Sequence, residues 1–352
     1  MIRQRPISEE KRFKKQLKKE YILYDYNSFQ NIEFIDGGSF GMVSCAYSKH
    51  HKGLVALKSI NIDQKYPFEQ FLNEAKQHGK VEHHINLKFL HIIKEKHKNN
   101  YMFVLEYANN GNLCDYLKSN FNIMNWNTKL KFAKQIVSAV RHLHENKIIH
   151  RDLHSKNILI HNGNIKICDF GISKFLLDPS IEVFKRLGSI KYSDPQYLEN
   201  TESYSRNEKS DIYSIGVLLW ELSSGHAPFA DKSIKFTDII LGIISGEREA
   251  VIKGTPRKYA EIYTACWQGN PDLRPHIHQV MQDLDNVDIT NTIEDIVNLI
   301  DQTNNDDLLY SLSAQIDGLN NHLKDPDNVD ITDIIEGVNP TDQTNNNDDL
   351  LY

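Results

Sequence analysis

His150-Arg151-Asp152-Leu153-His154-Ser155-Lys156-Asn157 is followed, after a short apolar run, by Asp169-Phe170-Gly171. Asp152 and Asn157 place a carboxylate and a carboxamide five residues apart on one loop. This spacing suits a site that orients a hydroxyl nucleophile and holds a metal ion. Asp169 would supply the second metal-binding oxygen. The two motifs together therefore predict a catalytic site that contains a metal.

A short strand pair is predicted between these motifs. The segments 158–160 and 164–167 flank the turn signal His161-Asn162-Gly163, which is a hairpin pattern. Such a hairpin would set the two acidic sites side by side. Each motif alone could arise by chance, but their combination at this spacing makes chance a poor explanation.

The combination resembles the catalytic loop and the metal-binding loop of eukaryotic protein kinases, H-R-D-L-x-x-x-N and D-F-G. The likeness covers about residues 29–284, and Cys266-Trp267 with Asp272-Leu273-Arg274-Pro275 resembles the tyrosine-kinase-like branch. The resemblance implies an α+β, two-lobed protein kinase fold. Its β-rich N-lobe would span residues 29–108, and its larger helical C-lobe would span residues 109–284.

The two ends of the chain differ in charge. Residues 1–28 are predicted to be a basic extension, whereas residues 285–352 form an acidic tail with sixteen Asp or Glu and one Lys. Within this tail, Asp285 to Thr290 recurs as Asp327 to Thr332. Two copies are too few for a solenoid. The composition favours a largely disordered tail, and short helices that bind a partner or the basic N-terminal segment are the alternative.

The composition is typical of a soluble protein, with 40% hydrophobic and 25% charged residues. Because the chain has no apolar run of about 18 residues and a charged N-terminus, neither a transmembrane span nor a secretory signal is predicted. The four cysteines are scattered without C-x-x-C spacing. This favours a reducing, cytoplasmic setting over a disulfide framework or a zinc site.

The glycine turn in Asp36-Gly37-Gly38-Ser39-Phe40-Gly41-Met42-Val43 lies between two predicted strands and would let backbone N–H groups approach phosphate oxygens. A plain hairpin is the alternative. The segment looks like the kinase loop G-x-G-x-x-G-x-V, with Asp36 in place of the first glycine. That carboxylate would repel phosphate unless it points to solvent. The resemblance implies an ATP-binding set of Ile35, Gly37, Gly38, Ser39, Phe40, Gly41, Val43, Ala56, Lys58, Glu74, Leu105, Glu106, Ala108 and Leu159.

Val55-Ala56-Leu57-Lys58 is similar to the kinase V-A-I-K strand, which implies that Lys58 binds the α and β phosphates. In the next predicted helix, Glu74 shares a side with inward apolar residues and is expected to pair with Lys58. Glu69, in the first turn, is the alternative. The strand from Tyr101 to Ala108 resembles the hinge between the lobes. By this resemblance adenine would bond to the backbone of Glu106 and Ala108, Leu105 would guard the back pocket, and Val43, Ala56 and Leu159 would lie above and below the ring.

Structural support is implied for three residues. Asp211 lies in an apolar helix, and a buried carboxylate there needs hydrogen bonds. The kinase resemblance implies that it bonds the backbone of the catalytic loop. Gly188 to Gln196 looks like the kinase region G-T-x-x-Y-x-A-P-E, with Asp194 for Ala and Gln196 for Glu. Gln196 is therefore expected to accept a hydrogen bond from Arg274, but the attraction between opposite charges that a Glu would add is absent.

Regulation is expected on the segment that follows Asp169. Arg151 is the kind of residue that pairs with a phosphate there. Phosphorylation at Ser180, or second at Tyr192, is predicted to raise activity, and Ser189 is a further candidate.

The predicted function is that of a protein kinase in signalling, with ATP and Mg²⁺ as cofactors and protein substrates. Asp152 would orient the substrate hydroxyl or accept its proton, Asn157 and Asp169 would bind Mg²⁺, and Lys58 would hold the phosphates. Most of the catalysis would then be positioning and electrostatics.

The acceptor is inferred from residues around the catalytic loop. Ser189 occupies the place of a Thr in Ser/Thr kinases and favours Ser/Thr, although His154 stands where many of them have Lys. Lys156 resembles the basic residue of tyrosine kinases and keeps dual specificity open. The alternative class is a pseudokinase or scaffold, motivated by Asp36, His154 and Gln196. A nucleic-acid binder has no groove-reading motif behind it.

Overall fold

The computed structural model describes residues 23–38, 41–61, 71, 74–76, 86–94, 100–169, 187–200, 203–230 and 235–289. Within these ranges no helix has the length and apolar character needed to cross a membrane. The described residues form a β-rich lobe followed by a helical lobe, which confirms the two-lobed fold predicted from the sequence.

The N-lobe is built on a six-stranded sheet. Its strands are β1 Leu23–Asp25, β2 Phe29–Gly38, β3 Gly41–Ser48, β4 Gly53–Asn61, β5 Phe89–Lys94 and β6 Asn100–Glu106. Their spatial order is β1-β5-β6-β4-β3-β2. All neighbours are antiparallel except β1 and β5, which run parallel.

Side-chain alternation along β4 gives the sheet two apolar faces. Val55 and Leu57 lie in one buried cluster. Ala56 lies in a second cluster, which includes Phe71 from the helical segment after β4. Because Lys58 is two residues beyond Ala56, it shares the face of the sheet that meets this helical segment.

The N-lobe begins before the predicted boundary at residue 29. The strand β1 pairs with β5, and a 3₁₀ turn, Tyr26–Ser28, leads into β2. Tyr24 and Tyr26 pack against the cluster that contains Val55. Residues 23–28 are therefore part of the lobe, and residues 1–22 lie outside the described ranges.

The C-lobe contains the helices α1 Leu113–Asn120, α2 Trp126–Glu145, α3 Leu187–Ile190, α4 Pro195–Glu199, α5 Glu208–Ser224, α6 Phe236–Ser245, α7 Arg257–Cys266 and α8 Ile277–Asp285. Helix α2 follows the N-cap residue Asn125, whose side chain accepts the Thr128 N–H. Helix α5 is buried continuously from Ser210 to Ser224, and α2 and α7 pack against it. Such burial on all sides makes α5 the central helix of this lobe.

The predicted hairpin between the two sequence motifs is also confirmed. It consists of β7 Ile158–His161 and β8 Asn164–Ile167. At its turn Asn162 and Gly163 have φ values of 50° and 67°, the left-handed pair that a type I′ turn requires.

The packed C-lobe continues past the predicted boundary at residue 284. Lys134 Nζ lies 3.0 Å from Asp285 Oδ1. Val287 is buried in the C-lobe core, and Ile289 packs against that core. Residues 290–352, which hold the rest of the acidic tail, lie outside the described ranges.

Candidate active site

Lys58 connects β4 with two carboxylates. Its Nζ lies 3.2 Å from Glu74 Oε1 and 2.7 Å from Asp169 Oδ1. Lys58 is 4% exposed and Glu74 is 1% exposed. Burial alone would lower the pKa of Lys58, but the charges of Asp169 and Glu74 raise this pKa above its ordinary value. Lys58 therefore stays cationic beside Glu74, and Glu69 lies outside the described ranges.

Asp211, in the first turn of α5, holds the catalytic loop by its carboxylate. Oδ2 accepts the backbone N–H of His150 and Oδ1 accepts that of Arg151, each at 2.8 Å. His144 Nε2, from α2, lies 2.8 Å from Oδ2. Arg151 has a φ of 68°, a left-handed conformation that costs roughly 1 to 2 kcal/mol for such a residue. The bonds to Asp211 hold this turn in place.

Asp152 and Asn157 face each other across the catalytic loop. Asn157 Nδ2 donates to the Asp152 carbonyl at 2.8 Å and lies 3.3 Å from Asp152 Oδ2. His154 Nε2 lies 3.6 Å from the same Oδ2. Burial would raise the pKa of Asp152, but the hydrogen bond and charge of His154, aided by His150, lower this pKa below its ordinary value. Asp152 is therefore a carboxylate at neutral pH and can orient a hydroxyl or accept its proton.

Cys168 links the two sequence motifs at the base of the β7–β8 hairpin. Its N–H donates to the Asn157 carbonyl at 3.1 Å, and its carbonyl lies 3.0 Å from His150 Nε2. The next residue, Asp169, has a φ of 60°. The hairpin thus brings the catalytic loop and the second acidic motif together, as the sequence predicted.

Four apolar residues predicted around adenine meet in one cluster. Ala56 and Leu105 are buried in it, while Val43 and Leu159 pack against it. These residues come from β3, β4, β6 and β7, so the cluster joins the two lobes. Ile35, from the same predicted set, is 47% exposed and lies outside this cluster.

The structure describes the two ends of the glycine turn, residues 36–38 and Gly41. Asp36 Oδ1 accepts the N–H of Gly37 at 2.8 Å, so this exposed carboxylate is tied to its own turn. Gly41 has a φ of 142°, and a Cβ there would overlap the Ser59 carbonyl. Of the remaining predicted phosphate-contacting residues, Gly38 pairs with Gly41 across the turn, and Ser39 and Phe40 lie outside the described ranges.

The hinge is tied to the C-lobe by the Glu106 side chain at the end of β6. Lys166 Nζ lies 2.9 Å from Glu106 Oε2, and His161 Nε2 lies 3.9 Å from Oε1. The Glu106 N–H donates to the Lys88 carbonyl at 2.8 Å. Ala108, two residues on, is half-buried.

The predicted hydrogen bond between Arg274 and Gln196 is wrong. Arg274 donates instead to both carboxylate oxygens of Asp194, at 2.9 and 2.8 Å. Asp194 also accepts from Ser210 Oγ at 2.8 Å and from the Tyr204 hydroxyl at 2.9 Å. Asp194, two residues earlier in the chain, therefore supplies the negative charge that Gln196 lacks. The sequence contained a sign of this pairing, because Asp194 replaces the Ala of the family pattern in the same segment in which Gln196 replaces the Glu.

Tyr192 is enclosed in the C-lobe. It is 4% exposed, and its hydroxyl donates to Glu221 Oε2 at 2.8 Å and lies 3.1 Å from Ser155 Oγ. Burial, together with the charge of Glu221, raises the pKa of this hydroxyl well above its usual range. The arrangement contradicts the prediction of Tyr192 as an accessible phosphorylation site. Ser189 is half-buried, and Ser180 lies outside the described ranges.

Glu221 is a buried acid that sequence reasoning missed. It is 1% exposed, and burial raises its pKa to about 7, against hydrogen bonds from Tyr192 and Ser155 that lower it. The signal was present, because Glu221 is a second acid in the same apolar helix that made Asp211 stand out.

Comparisons with known proteins give one consistent result. Residues 29–284 match the family model described as protein tyrosine and serine/threonine kinase. The chain is 31% identical over 279 residues to dual specificity protein kinase splA of Dictyostelium discoideum, covering 73% of this chain and 11% of that protein.

Two further relatives show similar identity. Receptor-interacting serine/threonine-protein kinase 1 of Homo sapiens is 30% identical over 263 residues, covering 68% of this chain and 38% of that protein. Tyrosine-protein kinase abl-1 of Caenorhabditis elegans is 29% identical over 282 residues, covering 79% of this chain and 22% of that protein. The chain thus spans less than half the length of each of these relatives.

Proposed function

Because the chain belongs to the protein tyrosine and serine/threonine kinase family, we propose that it transfers the γ-phosphate of ATP to serine or threonine hydroxyls of protein substrates in signalling. The observation that carries this proposal is the position of Lys58 between Glu74, at 3.2 Å, and Asp169, at 2.7 Å. These contacts unite the phosphate-binding strand and the metal-binding motif in one site, and Asp152 stands on the adjoining loop.

The donor atoms of Asn157 and Asp169 fit Mg²⁺, which prefers carboxylate and carbonyl oxygens. Asn157 turns its Nδ2 toward Asp152, and this orientation leaves Oδ1 as the ligand atom. Asp169 contributes its carboxylate. When bound, Mg²⁺ supplies charge neutralisation at the phosphate oxygens of ATP.

The remaining residues position and polarise the reactants. Lys58, held by Glu74, binds the α and β phosphates of ATP. Asp152 orients the substrate hydroxyl or accepts its proton, and its lowered pKa keeps it ionised at neutral pH. Because phosphoryl transfer passes through a loose transition state, most of the catalysis comes from this positioning and from electrostatics.

The acceptor class rests on Ser189, which supports serine and threonine. The printed names of the relatives include dual specificity, serine/threonine and tyrosine kinases at 29% to 31% identity, so these names do not select an acceptor. Lys156 is the residue that keeps dual specificity within the proposal.

The proposed setting is the cytoplasm, and the four cysteines are free. Regulation is proposed to act through phosphorylation of Ser180, whose phosphate would pair with Arg151. The acidic tail is proposed to bind a protein partner. The kinase proposal does not depend on the setting, on the regulation at Ser180 or on the partner of the tail.

A scaffold that binds nucleotide without transfer is the second candidate, favoured by Asp36, His154 and Gln196. Two structural observations weigh against it. Asp36 bonds the N–H of Gly37, and Asp194 supplies the charge that Gln196 lacks.

The test is phosphoryl transfer by the full chain with ATP, Mg²⁺ and a generic protein substrate, followed by analysis of the phosphorylated amino acids. Asp152→Asn serves as the matched control. Phosphoserine or phosphothreonine from the parent alone supports the proposal. Nucleotide binding without transfer, also after an upstream kinase has phosphorylated Ser180, establishes the scaffold instead.

A further inference from the structure

Aromatic rings from three parts of the N-lobe meet beside β1. The ring centroids of Tyr24 and His50 lie 4.3 Å apart, and those of Tyr24 and His91 lie 4.1 Å apart. His51 and His91 are stacked, with centroids 4.9 Å apart and an angle of 26° between the ring planes. These four residues, from β1, β5 and the turn between β3 and β4, form what we call the imidazole cluster. Tyr24 packs on an apolar cluster that has no residue in common with the one at the proposed adenine site, so the imidazole cluster is separate from that site.

The imidazole cluster connects β1 to the rest of the sheet. The strand β1 has only three residues, which pair with β5, and so short a parallel pairing contributes few hydrogen bonds. The Tyr24 ring adds contacts to the turn at His50 and to β5 at His91. The backbone N–H of Lys49 donates to the Ser28 carbonyl at 3.2 Å and holds this turn close to the start of β2. The ring contacts are therefore expected to supply a large part of the free energy that holds β1 in place.

The charged side chains beside the imidazole cluster are mainly cationic. Among the described residues, the charges that act on His51 and His91 are those of the cluster's own histidines and of Lys88, and no carboxylate is among them. The acid of β1, Asp25, accepts the Asn27 N–H at 3.0 Å. The further cations on these elements are Lys49 and Lys52 in the turn and Lys94 at the end of β5. A proton bound by the cluster therefore meets mainly positive charge.

Protons are the expected ligands of the imidazole cluster, because no group of three or more His, Cys, Asp or Glu in the described ranges could hold a metal ion. Partial burial lowers the pKa of His51 below its ordinary value of 6.5, and the charges of His50 and Lys88 lower it further. Partial burial also lowers the pKa of His91, with a further effect from His51 and His50. Below pH 6.5 the folded lobe therefore binds fewer protons than the unfolded chain. The favourable contribution of the cluster is present above pH 6.5 and decreases as the pH falls through 6.5 towards the lower pKa values of the folded state.

We propose that the imidazole cluster is a pH-sensitive contact that holds β1 on the sheet at neutral pH and releases it in mildly acidic solution. When His51 and His91 are neutral, their rings stack, and Tyr24 lies against His91 and the turn. When both are protonated, two cations face each other at 4.9 Å beside Lys88, and movement of the turn away from β5 relieves the repulsion. Release of β1 then removes Tyr24 from its apolar cluster. This contact is independent of phosphoryl transfer and does not require that the chain be an active kinase.

The experiment follows backbone hydrogen exchange in the full chain at about pH 7.5 and about pH 5.5, on either side of the ordinary histidine pKa. Each rate is divided by the intrinsic exchange rate at the same pH. The protection of residues 23–25 and 92–94 should fall by roughly three- to tenfold in acid, because a difference of one pKa unit in one histidine corresponds to tenfold. The protection of α2, in the C-lobe, should not fall.

Two double variants show whether the imidazoles cause this change. His51→Gln with His91→Gln should give β1 the same protection at both pH values. His276→Gln with His278→Gln is the matched control, because it replaces two exposed histidines of the C-lobe, and it should behave like the parent. Because His51 is exposed, His51→Gln alone gives a folded variant even if the double variant does not, and it should reduce the pH dependence.

NMR titration of the imidazoles measures the interaction between the two stacked rings. In His51→Gln the pKa of His91 should rise towards 6.5, because a neighbouring charge is removed. Equal protection of β1 at the two pH values, an equal loss of protection in α2, or full pH dependence in the His51 variants overturns the proposal. A His91 pKa that is the same in the parent and in His51→Gln overturns it as well, since the two rings would then not interact.

Discussion

Arg274 and Asp194 form a buried ion pair with two parallel hydrogen bonds, Nη2 to Oδ1 at 2.8 Å and Nη1 to Oδ2 at 2.9 Å. In the family pattern the acid stands at the position of Gln196. Here the acid is two residues closer to the catalytic loop, and its arginine partner is the same. The pair connects the start of α4 to the 3₁₀ turn before α8.

Removing this acid should destabilise the C-lobe. Asp194→Ala is expected to lower the free energy of unfolding by about 3 to 5 kcal/mol, because it leaves the Arg274 charge buried and unpaired. Gln196→Ala, the matched control, should change it by less than about 1 kcal/mol. Urea unfolding measures both. Adding Gln196→Glu to Asp194→Ala should restore part of the loss, and equal damage from the two single variants would show that Asp194 is not the essential partner.

Variants of Asp152 and Asp169 should separate the phosphoryl-transfer step from nucleotide binding. Asp152→Asn keeps the shape of the side chain but cannot accept a proton, so transfer should fall by roughly 10² to 10⁴ while MgATP affinity stays near that of the parent. Asp169→Asn should weaken MgATP affinity as well, because it removes charge from the metal site. Single-turnover transfer and nucleotide titration measure these effects. Full activity of Asp152→Asn would refute its role.

Glu221 should make stability depend on pH. Its pKa is raised from 4.5 to about 7, chiefly by burial. Its favourable contribution is therefore complete below pH 4.5, decreases as the pH rises from about 4.5 to 7, and is lost above that window. Glu221→Gln removes this titration, so the melting temperature of the variant relative to the parent should rise across the window and then level off. Glu261→Gln, an exposed control on α7, should show no such trend.

Residues 23–28 should contribute to the stability of the N-lobe. Tyr24 and Tyr26 pack on the cluster that contains Val55, so Tyr24→Ala with Tyr26→Ala should lower the melting temperature by several degrees. Tyr47→Ala, at a 38% exposed position on β3, is the control. Equal melting of the two variants would mean that residues 23–28 contribute nothing to the lobe.

Two cuts should locate the end of the folded C-lobe. Ending the chain after Leu284 removes the Asp285 contact with Lys134 and the buried Val287, and should lower the melting temperature. Ending it after Ile289 keeps these contacts and should leave the melting temperature unchanged. Thermal unfolding of both chains tests this, and identical melting would place the end before Asp285.

The residues that sequence alone placed correctly are those with fixed local spacing. The β7–β8 hairpin follows from turn chemistry, whereas the pairing of Lys58 with Glu74 was implied by the kinase resemblance, with helix periodicity favouring Glu74 over Glu69. The ion pair between Asp194 and Arg274 could not be predicted in this way, because the two residues are 80 positions apart in the chain. Only the folded chain shows whether Arg274 reaches Asp194 or Gln196. Tyr192 was misjudged for a related reason, since exposure depends on distant elements such as α5.

The parallel pairing of β1 with β5 has a consequence for how this protein behaves in concentrated solution. Without β1, the strand β5 would be the outermost strand on its side of the sheet, with a row of backbone donors and acceptors facing water. Such open rows recruit strands from other molecules and promote self-association. The three residues Leu23–Asp25 therefore cover the edge of β5 and should reduce aggregation. A chain cut at residue 29 would expose this edge even if its catalytic loop remained intact.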